Sequence, residues 1–151
     1  MATAPTMDYT LTSHGFRLSA HLATPPLASP GPGLVLCHGF PVRGRESPAS
    51  GKSFPELADR IATEMGWTVL TINFRGCGGS EGDFSMAGWL DDIHAAVVHL
   101  IELGVSGVWL AGYGSGGALC LSEGARNPDV RGVAAIAAPA DFDDWARHPR
   151  R

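Results

Sequence analysis

The sequence of 151 residues has few basic residues and no block of like charge. Eleven Lys and Arg stand against 15 Asp and Glu, the net charge is -4, and the two signs are interspersed. Binding to nucleic acid or to an anionic membrane surface depends on clustered positive charge, so we expect neither partner. A small-molecule ligand is the expected partner instead.

The sequence also lacks a long apolar segment and a secretory leader. Its longest apolar run, VAAIAAPA, is far too short to span a bilayer. The N-terminal MATAPTMDYTLTSHG has neither the basic start nor the apolar stretch of a signal peptide. These absences favour a cytoplasmic protein without membrane contact.

Cysteine is scarce as well. Cys37, Cys77 and Cys120 are odd in number and have no CxxC spacing, which argues against a disulfide framework and a zinc site. His94 and His99 are five residues apart on a predicted helix and cannot share one face. We therefore expect buried, unreactive thiols, no metal and no cofactor.

The chain does contain a regular alternation of strands and helices after an N-terminal hairpin. Two β-favouring runs, 8–13 and 16–23, predict the antiparallel hairpin. The predicted elements that follow are the strand GLVLCHG, a helix capped by Ser53, the strand WTVLTINF, a helix ended by Gly104, the strand GVWLAG, a helix to about Arg126 and the strand RGVAAIAA.

This order predicts an α/β fold with a mostly parallel sheet and helices on both faces. We expect one domain over 1–151, with flexible ends at 1–7 and 145–151. Ligands bind such sheets beyond the carboxyl ends of the strands. The loops that follow the parallel strands are therefore where a site is expected.

Three of those loops carry motifs that resemble the α/β-hydrolase superfamily, in particular its serine aminopeptidases and esterases. CHGFP resembles the family's His-Gly oxyanion segment, NFRGCGGSEG its Arg-Gly-x-Gly-x-Ser loop, and LAGYGSGG its nucleophile elbow. The motifs come in the family's order, and the resemblance covers about 8–144. It implies the α/β-hydrolase fold without the last strands and hydrolysis of small ester or amide substrates.

The third motif departs from the family at its centre. Aligned on its strand end and final glycine pair, GYGSGG puts Gly114 at the nucleophile position and Ser115 one residue later. A second alignment makes Ser115 the nucleophile but puts Tyr113 where the tight turn prefers glycine. Glycine relaxes a turn that serine occupies only under strain. The preferred alignment therefore removes the nucleophile.

The resemblance still implies an oxyanion hole made by the backbone N–H groups of Phe40 and Ser115. Such a site can hold a carbonyl or carboxylate without covalent chemistry. In the family the acid and the histidine follow the last two strands, and this sequence ends after the sixth. Asp141 is the candidate acid, although a helix-capping role is the preferred interpretation. His38 is expected to bond neighbouring backbone, and His148 lies near the terminus.

Three functions follow from these residues. The first is a hydrolase-like protein with weak or no activity, a pseudoenzyme, and the second is a non-catalytic binder of a small carbonyl or carboxylate ligand. The third is a dinucleotide-binding domain, because Gly112, Gly114 and Gly117 match G-x-G-x-x-G and Asp141 lies 24 residues later. The third leaves the other two motifs unexplained.

The last predicted strand also suggests a protein partner. If the sheet ends at RGVAAIAA, that apolar strand is an edge whose backbone groups invite pairing with another chain. The hypothesis is a homodimer that pairs through this edge, or a truncated copy of a longer protein.

Overall fold

A computed structural model describes residues 7–40 and 48–140, with side chains described at 7–40 and 53–140. The elements in chain order are β1 (Tyr9–Ser13), β2 (Phe16–Ala23), β3 (Gly33–Cys37), α1 (Pro48–Met65), β4 (Thr68–Ile72), α2 (Met86–Glu102), β5 (Val108–Tyr113), α3 (Ser115–Arg126) and β6 (Val130–Ile136). The strands form one sheet in the order β1-β2-β4-β3-β5-β6.

The sheet combines an antiparallel edge with a parallel body. β1 pairs antiparallel with β2, and β2 pairs antiparallel with β4. β4, β3, β5 and β6 are parallel neighbours. The predicted α/β fold with an N-terminal antiparallel hairpin is therefore confirmed.

The helices bury apolar residues on both faces of the sheet. Successive strand residues point to opposite faces, so Val35 packs in the cluster under α2 and α3, and Leu36 packs in the cluster under α1. Trp89 of α2 is fully buried and stacks on Phe74, with ring centroids 4.2 Å apart. This larger core lies directly below the carboxyl ends of β3 and β4.

Helix α1 begins earlier than the sequence predicts. Its first residue is Pro48, five residues before the predicted cap Ser53, and Pro55 lies inside the helix. A proline inside a helix removes the hydrogen bond that its own nitrogen would donate, and its ring crowds the carbonyl of the residue four positions earlier. The helix continues through this loss, so the capping-box pattern did not mark its start. Met65 at the other end is 61% exposed.

His21 of β2 joins the N-terminal segment to α1. Its Nδ1 lies 3.2 Å from Asp8 Oδ1, and its Nε2 lies 2.8 Å from Asp59 Oδ1. Burial lowers the pKa of His21, but the hydrogen bonds from its ring to the carboxylates of Asp59 and Asp8 outweigh burial and raise the pKa above its usual 6.5. The protonated imidazole therefore stabilises the folded chain.

The stability that His21 contributes is expected to depend on pH. Because its pKa is raised on folding, the contribution is complete below about pH 6.5 and is lost as pH rises through the folded-state pKa. The measurement is the urea midpoint of the wild type minus that of His21→Gln, which we expect to shrink as the pH rises above about 6.5. His14→Gln, the same substitution at a histidine with a 61% exposed side chain, is the control. A difference that stays constant with pH contradicts the prediction.

β6 lies at one edge of the sheet, and its last three residues are exposed. Ile136 is 58% exposed, and the neighbouring Tyr113 of β5 is 56% exposed. The homodimer through this edge stays a prediction. In the described part of the chain, no helix has the length and apolar character needed to cross a membrane.

Candidate active site

The three motif-bearing loops meet at the carboxyl end of the parallel strands. The ring of His38, after β3, lies 5.0 Å from that of Phe74, after β4. The Phe40 ring lies 4.6 Å from that of Phe84, and the Phe40 N–H reaches Ser115 at the start of α3. The motifs that are far apart in sequence therefore form one site.

Gly114 is the single residue between β5 and α3. Its φ of 58° and ψ of -129° lie in a region that L-residues with side chains rarely adopt. Its N–H donates to the Ile136 carbonyl at 2.8 Å, and its own carbonyl accepts the Ala118 N–H at 3.2 Å. The chain thus turns from strand to helix at one residue, as in an elbow. Among the described residues, a Cβ added at Gly114 would meet the Gly39 Cα alone, at 3.9 Å, so these residues leave room for a side chain at the turn.

The neighbouring glycines are required by close backbone packing. A Cβ at Gly112 would lie 2.6 Å from the backbone of Gly116, and a Cβ at Gly117 would lie 2.7 Å from the Gly112 carbonyl oxygen. A Cβ at Gly116 would overlap the His38 carbonyl oxygen. These contacts hold α3 against the ends of β3 and β5. They account for the glycines without a bound phosphate.

Ser115 uses its hydroxyl inside the site. Its Oγ accepts the Phe40 N–H at 2.7 Å, and the residue is 6% exposed. The resemblance implies that the backbone N–H groups of Ser115 and Phe40 both donate to a ligand oxygen. That oxyanion hole stays a prediction. In the structure, the Ser115 hydroxyl accepts a hydrogen bond from the Phe40 N–H, which is one of the two predicted donors.

His38 is a buried, fully bonded histidine. Its Nδ1 donates to the Gly39 carbonyl at 2.7 Å, and its Nε2 accepts the Phe74 N–H at 3.1 Å. Burial lowers the pKa of His38, against a smaller opposite effect of the bond to Gly39. Because both ring nitrogens bond backbone groups, the ring ties the loop after β3 to the loop after β4. The expected backbone-bonding role is confirmed.

Arg75 fixes the second loop through a buried ion pair. Its Nη2 donates to Asp92 Oδ1 at 2.8 Å, and its backbone N–H donates to Asp92 Oδ2 at 2.9 Å. Ser13 Oγ donates to Asp92 Oδ1 at 2.7 Å, and the Trp89 indole N–H donates to the Arg75 carbonyl at 3.1 Å. Ser80 Oγ donates to a carbonyl of the same loop at 2.7 Å. Arg75 and Ser80 therefore both fix the loop after β4.

Asp92 and Glu123 are buried acids that the sequence analysis missed. Glu123 of α3 is 1% exposed and accepts hydrogen bonds from His94, Arg126 and Asn127. Burial raises the pKa of Glu123, but these three donors outweigh it and hold the pKa below its usual range. Both acids fall at the spacing of their helix's buried residues. A charge within an apolar stripe was the signal that could have revealed them.

The cysteines are all buried, as expected. A hydrogen bond between Cys37 and Cys120, together with burial, raises the pKa of the Cys37 thiol well above its usual value. A raised pKa disfavours the reactive thiolate. Within 7–40 and 53–140, the histidines, cysteines and acids form no group of three or more that could hold a metal.

The structure brings Phe40, Gly114 and Ser115 together at one end of the sheet. Asp141, the candidate acid, and His148 lie outside the described residues. The role of each residue in a reaction stays a prediction.

Comparison with known proteins assigns the fold to a family. A model of the alpha/beta hydrolase fold matches residues 32–151, well over half of the chain. The chain belongs to the α/β-hydrolase family. Comparison with curated protein sequences gives no significant match.

Solved structures with the same fold are esterases and other hydrolases. Est1E from Butyrivibrio proteoclasticus, solved with ferulic acid bound, is 22% identical with a TM-score of 0.76, over 95% of this chain and 57% of Est1E. A protein of unknown function from Agrobacterium tumefaciens, described as an α/β hydrolase, is 24% identical with a TM-score of 0.77, over 95% and 65%. A serine hydrolase without a lid from Xanthomonas campestris is 26% identical with a TM-score of 0.69, over 95% and 67%. The chain thus spans less than two thirds of the first two.

Membership of the α/β-hydrolase family accounts for all three sequence motifs. The dinucleotide alternative explains only the loop 112–117, whose glycines are required by packing. Its candidate ribose ligand, Asp141, lies outside the described residues. The family assignment therefore favours the two hydrolase-based functions.

Proposed function

We propose that this chain is an inactive α/β-hydrolase that binds a small carbonyl or carboxylate ligand at its elbow. The observation that carries the proposal is the glycine at the turn, which provides no nucleophilic side chain at position 114. Covalent acyl transfer needs a nucleophile and a base that activates it. The neighbouring hydroxyl, Ser115 Oγ, accepts the Phe40 N–H, and no hydrogen bond between it and a basic side chain is seen among the described residues.

The bonding of His38 supports the absence of base catalysis at this site. A general base must have a ring nitrogen available to take a proton from the nucleophile or from water. Both ring nitrogens of His38 are engaged with backbone groups, at 2.7 and 3.1 Å. His38 therefore serves the architecture of the site and not proton transfer.

The surroundings of the elbow support a ligand with an oxygen at one end and an apolar body. The partly exposed Phe40 ring packs against Phe84 at 4.6 Å and against the buried Trp89 at 5.1 Å, so Phe40 can offer an aromatic surface beside its own N–H. Backbone N–H groups at the start of a helix favour a negatively charged oxygen. Ferulate, the carboxylate of the acid bound to Est1E, combines both features and is a suitable probe.

The wild-type chain is expected to release p-nitrophenol from p-nitrophenyl acetate no faster than the buffer does. Ser115→Ala and Gly114→Ser are expected to behave alike, because neither provides a base. Gly114→Ser is also expected to lower the free energy of unfolding by about 1–3 kcal/mol, because serine would adopt the φ of 58°. The measurements are p-nitrophenolate absorbance and urea unfolding of each variant.

Two outcomes contradict the proposal in different ways. Hydrolysis by the wild type that disappears in Ser115→Ala would make Ser115 a nucleophile displaced by one residue. Hydrolysis gained in Gly114→Ser would show that the chain has a base and lacks only the nucleophile. A ferulate titration of the wild type tests the ligand itself, and no binding at millimolar concentration would exclude the proposed site.

A further inference from the structure

We infer that a second copy of this chain docks on the free edge of β6 and on the flank of α3 beside it. The two copies pair β6 with β6 in the antiparallel direction about a two-fold axis and pack α3 against α3. The sequence predicts pairing through the strand alone, and the helix contact and the position of the axis follow from the structure. This inference is independent of the ligand proposed at the elbow.

The edge of β6 has little that would prevent another strand from pairing with it. Within the described residues, β6 pairs with β5 alone. Exposed edges are normally protected by charged side chains, proline or bulges. β6 has one charged residue, Arg131, which lies at the irregular start of the strand and whose guanidinium lies over the Trp109 ring, 5.8 Å from its centroid. Residues 132–136 pair regularly with β5, are uncharged and are exposed from Ala134 onward, so this part of the edge favours a further strand.

The flank of α3 beside this edge presents an exposed leucine. A Cβ added at Gly124 would contact the Val133 side chain, and one added at Gly117 would lie 3.3 Å from the Ala138 Cβ, so both glycines face β6 or its end. Leu121 follows Gly117 by one turn and precedes Gly124 by three residues, which places it on nearly the same side of the helix. Leu121 is 50% exposed. A lone peptide strand on the edge would leave Leu121 exposed, whereas a second copy covers it with its own α3.

A two-fold axis beside β6 produces the strand contact and the helix contact together. Such an interface uses the same residues on both copies, so two β6 strands in one sheet must run antiparallel. α3 packs on both β5 and β6. Because neighbouring strands lie about 4.8 Å apart, the two α3 axes come to lie about 10 Å apart, which is within the range of packed helices. Leu121 lies between Gly117 and Gly124 along the helix, so it is level with the middle of 133–138 and close to the axis.

The sequence of β6 is complementary to itself about Ala134. A two-fold axis at Ala134 pairs Ile136 of one copy with Gly132 of the other, so that the largest exposed side chain of the strand meets the smallest residue. The two Arg131 residues then lie at opposite ends of the ladder, about 20 Å apart, where their charges do not repel strongly. A second copy therefore satisfies the strand, the helix and the charges at once.

The first experiment measures the mass of the whole chain by light scattering after size exclusion, over a dilution series. We expect a wild-type species of twice the chain mass of 15.8 kDa, which dissociates on dilution. Leu121→Lys and Ala134→Lys each place a charge in the interface and are expected to raise the dissociation constant by more than about tenfold. Leu57→Lys is the matched control, because Leu57 is 41% exposed on α1, which packs on β2 and β4. Thermal melting checks that each variant is folded.

The second experiment tests the position of the axis. The three native cysteines are buried, so Ala134→Cys introduces an exposed thiol. At the axis this thiol faces its own copy, with the two Cβ atoms about 4.5–5.5 Å apart. Oxidised glutathione is expected to convert the two thiols to one disulfide, with release of reduced glutathione, and to join the two chains. Leu57→Cys, treated in the same way, is expected to stay largely monomeric on a denaturing gel.

Each of the other outcomes overturns the inference. A wild-type monomer at every concentration means that no second copy covers the edge, and it leaves the proposed ligand site unaffected. A dimer that both lysine variants retain uses another surface. Species that grow beyond the dimer indicate head-to-tail pairing without a two-fold axis. A dimer of Ala134→Cys that forms no disulfide has its axis elsewhere.

Discussion

Replacement of Asp92 by alanine is expected to lower the free energy of unfolding by about 3–5 kcal/mol. The carboxylate is fully buried and accepts hydrogen bonds from the Arg75 guanidinium, the Arg75 backbone and the Ser13 hydroxyl. Its removal leaves the Arg75 charge buried without a counterion, on a side chain only 10% exposed. An uncompensated buried charge costs more than the pair itself contributes, which is why this loss is large.

Urea unfolding measures the loss, and two further variants define its cause. Asp92→Asn keeps the shape and one acceptor but removes the charge, so an intermediate loss is expected. Glu81→Ala breaks the exposed ion pair with Arg17, in which the charged atoms are 2.6 Å apart, and is expected to stay close to wild type because water screens that pair. A loss in Asp92→Ala no larger than in Glu81→Ala would contradict the role of the buried pair.

The fold of this α/β-hydrolase was predictable because its signals are local. Apolar periodicity and the glycine and proline breaks gave the order of strands and helices, and that order predicts a parallel sheet. The predicted start of α1 was wrong. Ser53 and Glu56 have the spacing of a capping box, which would suit the start of a helix, but this helix begins at Pro48. Local sequence preference indicates where a helix can begin, and the rest of the chain determines where it does begin.

The site was predictable in its position and not in its bonding. Motifs on three strand ends predict that Phe40, Gly114 and Ser115 meet, since parallel strands bring their carboxyl ends together. The hydrogen bond between Ser115 Oγ and the Phe40 N–H joins residues 75 apart and depends on one side-chain rotamer. No sequence pattern encodes that rotamer. Asp92 was missed for another reason, because a search for apolar stripes passes over a charge that is buried with its partner.

Gly116→Ala is the second substitution with a large expected effect. The added Cβ would overlap the His38 carbonyl oxygen, which is backbone and cannot rotate away. Either α3 moves from the end of β3 or the loop after β3 shifts, and overpacking of this kind costs about 1–3 kcal/mol. Gly116 is the second residue of α3, where alanine would otherwise be favoured over glycine by at most the value of about 1 kcal/mol that holds inside a helix. A net loss would therefore be evidence for the close approach.

Gly124→Ala is the matched control on the same helix. There the added Cβ would meet a methyl group of Val133, at 2.6 Å, which can give way only if that stiff, β-branched side chain shifts, whereas no backbone atom has to move. We expect urea unfolding to show a larger loss in Gly116→Ala than in Gly124→Ala. The comparison also separates two explanations of the glycine cluster, because position 116 is unrestricted in G-x-G-x-x-G but must be small in an elbow. If Gly116→Ala is as stable as Gly124→Ala, the elbow packing does not constrain this position, and the dinucleotide alternative regains support.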